Sequence, residues 1–122
     1  PQVIAERDGV KYVISEGRGT AEGMICFSRA TAEMTMTGCD RPEALAKRGF
    51  VLAEDVPGGL RVDAYLPPGI NRVEANGQAL PVIDQLFTAT RDTPQASLVG
   101  KSGLGAELPM GTFGTPPAFR NR

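Results

Sequence analysis

Histidine is absent from all 122 residues. That removes the commonest general base at neutral pH, the Ser-His and Cys-His nucleophile pairs, and the commonest transition-metal ligand. Catalysis would have to rest on paired carboxylates or a Ser-Lys pair. Two carboxylate pairs can be drawn, Glu54 with Asp55 and Asp63 with Glu74. Both read as solvated strand faces and turns, so no catalytic residue is assigned. Cysteine is nearly as scarce, occurring only as Cys26 and Cys39. Two cysteines without histidine cannot complete a structural zinc site, and their spacing is far from C-x-x-C. No metal and no cofactor is expected.

An excess of charge is missing too. Thirteen basic residues face fourteen acidic ones, for a formal net charge of −1, and they are scattered. This excludes the dense basic face that nucleic-acid binding requires and a polybasic segment for anionic lipid. No run approaches the roughly 18 apolar residues of a membrane span. The chain starts at Pro1 without methionine and reads as processed or trimmed, its signal peptide already removed.

Several motifs fall short of their function. Gly100-Lys101-Ser102 resembles the end of a P-loop, but Gln95 stands where that loop needs glycine, so a turn with an exposed Lys101 is expected. Gly103-x-Gly105 fails as a dinucleotide fingerprint, because Leu108 occupies the third glycine position. No EF-hand loop and no N-x-S/T acceptor occurs. Leu66-Pro67-Pro68 and Thr115-Pro116-Pro117 lack P-x-x-P and read as turn and linker. Met24, Met34 and Met36 fall on alternating strand positions and, with Met110, read as core packing rather than a copper thioether site.

What remains is mainly β. Fifteen glycines and ten prolines leave few uninterrupted stretches for a long helix. Short β-branched or aromatic runs, such as Tyr12-Val13-Ile14 and Ile25-Cys26-Phe27, suit strands. The expected fold is a small antiparallel sandwich or partly open barrel of one domain, with one short helix near 41–48. For that helix Asp40 is the expected N-cap, Glu43 its capping-box partner, and Gly49 the C-terminal stop. Strands are expected at 2–6, 11–16, 50–54, 60–66, 70–75 and 78–90. Asp8-Gly9, Pro57-Gly58-Gly59 and the turn pair Asn76, Gly77 should link their neighbours. Leu60, Val62, Ala64 and Leu66 line one face of their strand, Arg61, Asp63 and Tyr65 the other.

The cysteines are either disulfide-bonded or two separate buried thiols. The pattern favours the disulfide: Cys26 lies on a strand with Met24 and Ser28, a second strand follows from Ala32, and Arg29-Ala30-Thr31 is a connection of hairpin length. Residues 1–90 thus form a disulfide-bearing β unit. From 91 to 122 a Pro/Gly-rich arm packs on it, with one short strand at 96–99 and an ordered arm or frayed tail at Thr115-Pro116-Pro117. This arm is expected to be a docking surface or a strap over the domain's own core.

The order Asp8-Gly9-Val10-Lys11-Tyr12-Val13, Met24-Ile25-Cys26-Phe27, Thr37-Gly38-Cys39 and Leu60 to Val73, then Leu80 to Phe87, resembles uncharacterised exported actinobacterial proteins over residues 8–88. The resemblance implies export and a disulfide, and no activity. The expected role is a secreted or cell-surface domain that binds an unknown protein or surface partner. A carboxylate-dependent hydrolase or transferase and a purely structural extracellular module are the alternatives.

Overall fold

A computed structural model describes residues 1–114 of the chain. Its first sheet is antiparallel and runs in chain order: β1 (Gln2–Arg7), β2 (Val10–Glu16), β3 (Ile25–Ala30) and β4 (Thr35–Asp40). Local devices set the register. Asp8 and Gly9, at φ 52° and 76°, form a two-residue turn between β1 and β2, a geometry whose twist suits a hairpin. Beyond β3, the Thr31 hydroxyl accepts from the N–H groups of Glu33 and Met34 and closes the loop into β4. Cys26 then pairs directly with Cys39, and the two form a disulfide. Strand alternation puts Tyr12, Phe27, Arg29 and Met36 on the inner face and Val13, Ser15, Cys26, Ser28, Thr37 and Cys39 on the outer one.

A second sheet holds three strands, β5 (Phe50–Val56), β6 (Gly59–Tyr65) and β9 (Leu86–Arg91), with β6 in the middle. A third contains β7 (Ile70–Ala75), β8 (Gln78–Pro81), β10 (Gln95–Ser102) and β11 (Glu107–Gly114), in the order β11-β10-β7-β8. The residues along β6 explain how the sheets stack. Leu60, Val62 and Ala64, with Leu66 just beyond, join Val73, Ala75, Phe87, Ala96, Leu98, Leu108 and Met110 in one apolar cluster. Tyr65, with Phe50, Leu52 and Leu86 of the same sheet, packs on Tyr12 and Phe27 in another. The three-stranded sheet is therefore covered on both sides. Each fully buried large side chain contributes roughly 1.5–3 kcal/mol to this stack. The result is a small three-layer sandwich and not a closed barrel.

That layering corrects one expectation directly. Asp63 does not lie on a solvated face; it is 0 % exposed, because the first sheet lies over the face it shares with Arg61 and Tyr65. The expected strand at 78–90 is two strands in two different sheets. Between them Asp84 and Gln85, at φ 53° and 64°, make a tight turn without glycine. It is held because Gln85 Nε2 donates to the Leu66 carbonyl at 2.9 Å while Leu66 N–H donates to the Gln85 carbonyl at 2.8 Å.

The segment after Arg91 also differs from expectation. Rather than one short strand and an extended arm, residues 95–114 form a long hairpin that supplies Ala96, Leu98, Leu108 and Met110 to the core. Residues 115–117 lie outside the described residues. The helix α1 (Glu43–Arg48) forms as expected near 41–48, but Pro42 is its N-cap and no side chain caps it. Asp40 ends β4 instead. Its carboxylate is taken by the Arg41 N–H and the Arg48 guanidinium. At the other end Gly49, at φ 76°, closes the helix by donating to the Ala44 and Leu45 carbonyls.

Candidate functional site

Pairing register builds a charged cluster between the first and second sheets. Tyr12 and Arg29 are cross-strand partners on β2 and β3; Glu54 and Arg61 are partners on β5 and β6. Asp63, two residues after Arg61, shares its face. Burying an unpaired carboxylate would be prohibitive, and Asp63 is fully paired. Its Oδ1 accepts from Tyr12 OH at 2.9 Å and Arg61 Nη2 at 3.2 Å. Its Oδ2 accepts from Arg29 Nη1 at 2.8 Å and Arg61 Nε at 3.1 Å. Arg29 Nη2 goes on to Glu54 Oε2 at 3.0 Å, and Arg61 Nη2 also donates to Tyr12 OH at 2.9 Å. Formal charges cancel, two guanidinium groups against two carboxylates.

This cluster is the best-connected set of titratable groups among the described residues, and its bonding decides what it can do. A carboxylate offers about four lone-pair sites, and Asp63 has four donors on them. It has none left with which to take a proton from a bound molecule. The arrangement clamps two sheets. A hollow of about 330 Å³ opens beside it, where Arg7, Thr88 and Thr90 join Tyr12 and Arg61. The Arg7 guanidinium there already donates to the Ile83 carbonyl at 2.9 Å.

Burial, followed by the Asp63 charge, raises the Tyr12 phenol above its ordinary value, and the hydrogen bond to Asp63 raises the Arg61 guanidinium. Below about pH 10 the phenol is neutral in both folded and unfolded chains, so its contribution to stability is complete. Above that pH the unfolded chain releases the proton while the folded one keeps it, and stability falls until the raised folded value is passed. Melting temperatures measured from pH 8 upward should therefore drop more steeply in the parent than in Tyr12→Phe. Parallel slopes would mean that Tyr12 is not buried against Asp63.

The outer face of the first sheet has a different character. A broad groove of about 840 Å³ runs over it, floored by Ser15, Cys26, Ser28, Thr37 and Cys39 and bounded by Pro1, Gln2 and the segment around Arg18. Ser28 and Thr37 share a hydroxyl hydrogen bond of 2.8 Å. Among the described residues that line the groove, only Glu16 and Arg18 have charged side chains. The disulfide sits in the floor, with Cys39 exposed and Cys26 buried.

Other residues singled out in the sequence are dispersed. Glu54 reaches the cluster through Arg29, whereas Asp55, next to it, is exposed and points to the opposite side of β5. Glu74 lies on the third sheet, 3.8 Å from Lys101 Nζ. Lys101 is not in an exposed turn: it lies within β10 and binds Glu107 at 2.5 Å. The turn comes later, where the Ser102 hydroxyl accepts from the N–H groups of Leu104 and Ala106. Met36 and Met110 pack in the two apolar clusters, but Met34 sits in the β3–β4 loop and is 56 % exposed. Asn76 and Gly77, at φ 49° and 84°, turn β7 into β8.

Sequence reasoning missed Arg29 and Tyr12 as partners of Asp63. An aspartate in mid-strand, a position where that residue is depleted, was the available signal. Among the described residues, no helix is long and apolar enough to cross a membrane, and no group of three or more His, Cys, Asp or Glu is placed to hold a metal ion. Compared with protein-family models, with curated proteins and with solved structures, the chain matches none.

Proposed function

We propose that this chain is an exported, disulfide-bonded β domain that binds a partner protein and transforms no substrate. The charge-poor groove over the outer face of the first sheet carries the reading. Cores of protein interfaces are depleted in charged residues, and a shallow groove of about 840 Å³ suits a protein surface better than an enclosed small molecule. Export is supported by the disulfide, since such bonds persist in oxidising compartments. The saturated Asp63 carboxylate supports a binding role over a carboxylate-dependent hydrolase or transferase.

The test places a charge in the groove floor. Tagged protein incubated with culture supernatant is expected to retain a discrete partner that Thr37→Arg loses, with melting unchanged. A surface substitution of this kind shifts stability by only about 0.5 kcal/mol. Identical retention by both proteins, or retention of nothing by the parent, would overturn the reading.

A further inference from the structure

A third concavity, of about 350 Å³, lies where β4, α1, β5 and β11 converge. Its walls are apolar, built from Phe27, Phe50, Val51, Met110 and Phe113. Cys39, Thr112 and three glycines, Gly38, Gly49 and Gly111, also line it.

Among the described residues, the titratable groups bordering this pocket are Asp40 and Arg48. They form an ion pair at its mouth. Asp40 has a partner on each oxygen: the Arg41 N–H donates to Oδ1 at 2.8 Å, and Arg48 Nη2 donates to Oδ2. The Arg48 hydrogen bond, followed by the Arg41 N–H, holds the Asp40 carboxyl below its ordinary value, so both charges are present near neutrality. A guanidinium carries five N–H donors. One goes to Asp40, and the Arg48 side chain remains 50 % exposed. Arg48 therefore has donors to spare at the mouth, while Asp40 already accepts one hydrogen bond on each oxygen.

We propose that this pocket binds a small apolar molecule ending in a carboxylate, its apolar part lodged among Phe27, Phe50 and Met110 and its carboxylate on Arg48. The site combines a mostly apolar body with a few polar groups, Arg48 among them, as small-molecule sites do, and its volume is at the small end of their roughly 300–1,000 Å³ range. A short acyl chain or a single aromatic ring fits that volume; a long lipid does not. Guanidinium groups match the planar carboxylate with paired N–H donors. This site is distinct from the partner-binding groove, although Cys39 borders both.

Calorimetric titration of the full chain with octanoate, octanol and octylamine tests the assignment. Octanoate is expected to bind, with octanol about tenfold or more weaker, the loss of one charge-assisted contact. Octylamine should do no better than octanol. Arg48→Gln should bring octanoate down to the level of octanol, and Val51→Phe, which fills the pocket, should abolish binding of both. Backbone NMR shifts on the parent protein supply a readout free of any folding defect in the variants, with octanoate moving the Gly38, Gly49 and Gly111 amides. Equal affinity for all three ligands, or tighter octylamine binding, would overturn the anionic assignment. No binding, or shifts elsewhere on the surface, would overturn the pocket itself.

Discussion

Asp63→Ala is expected to destabilise the fold by about 3–5 kcal/mol, the usual consequence of removing one partner from a buried ion pair. The reason lies in what the substitution leaves behind. Arg29, only 6 % exposed, keeps Glu54 but loses its shortest carboxylate contact. Arg61 loses two hydrogen bonds and Tyr12 OH loses its acceptor. A domain of ordinary stability holds roughly 5–15 kcal/mol in total, so the variant should unfold at much lower urea concentration than the parent. Asp63→Asn should be nearly as damaging, because its shape is kept while two guanidinium groups remain under-compensated. Replacing the buried pair together, as Arg29→Met with Asp63→Leu, should recover much of the loss, since apolar groups of similar volume often substitute for such pairs. Equilibrium unfolding of the four proteins decides the matter. A loss below about 1 kcal/mol for Asp63→Ala would show that the cluster does not clamp the sheets.

Reduction of the Cys26–Cys39 bond should lower stability by about 3 kcal/mol, the loop-closure estimate for a sequence separation of 13. For a domain of this size the melting temperature should fall by roughly 10 °C. Cys39 is exposed, so a reductant can reach the bond without global unfolding. Calorimetric melts with and without reductant, beside the double variant Cys26→Ser and Cys39→Ser, measure the effect. Two titratable thiols in denatured, unreduced protein from its native compartment would contradict both this result and the exported assignment.

The readings that held rest on residues whose local chemistry acts alone. Asp8-Gly9 and Asn76-Gly77 adopt positive φ wherever the chain goes afterwards, so their turns could be read directly. Cys26 and Cys39 were legible as a hairpin pair for the same reason: a short loop brings its two strands together. The readings that failed depend on layers of structure a single strand cannot report. Leu60 to Leu66 alternates like a half-exposed strand, and nothing within it says that a second sheet covers the face of Asp63. Arg29 looked like part of a turn because the Thr31 loop begins two residues later than its composition suggests. The Asp84-Gln85 turn carries no glycine and no asparagine; hydrogen bonds to Leu66, just past the end of β6, hold it. After Arg91, recurrent glycine and proline hid a hairpin whose apolar residues find their partners on β6 and β7.

Partner binding through the outer face of the first sheet is most directly tested by site-specific photocrosslinking in living cells, with the reactive side chain placed at Ser28. That position lies in the groove floor beside Thr37, whereas Pro109 lies exposed on β11 in a different sheet. A single protein adduct from Ser28, lost when Thr37→Arg is added and absent when the crosslinker is at Pro109, is the predicted result. No adduct from Ser28, or the same adducts from both positions, would contradict it.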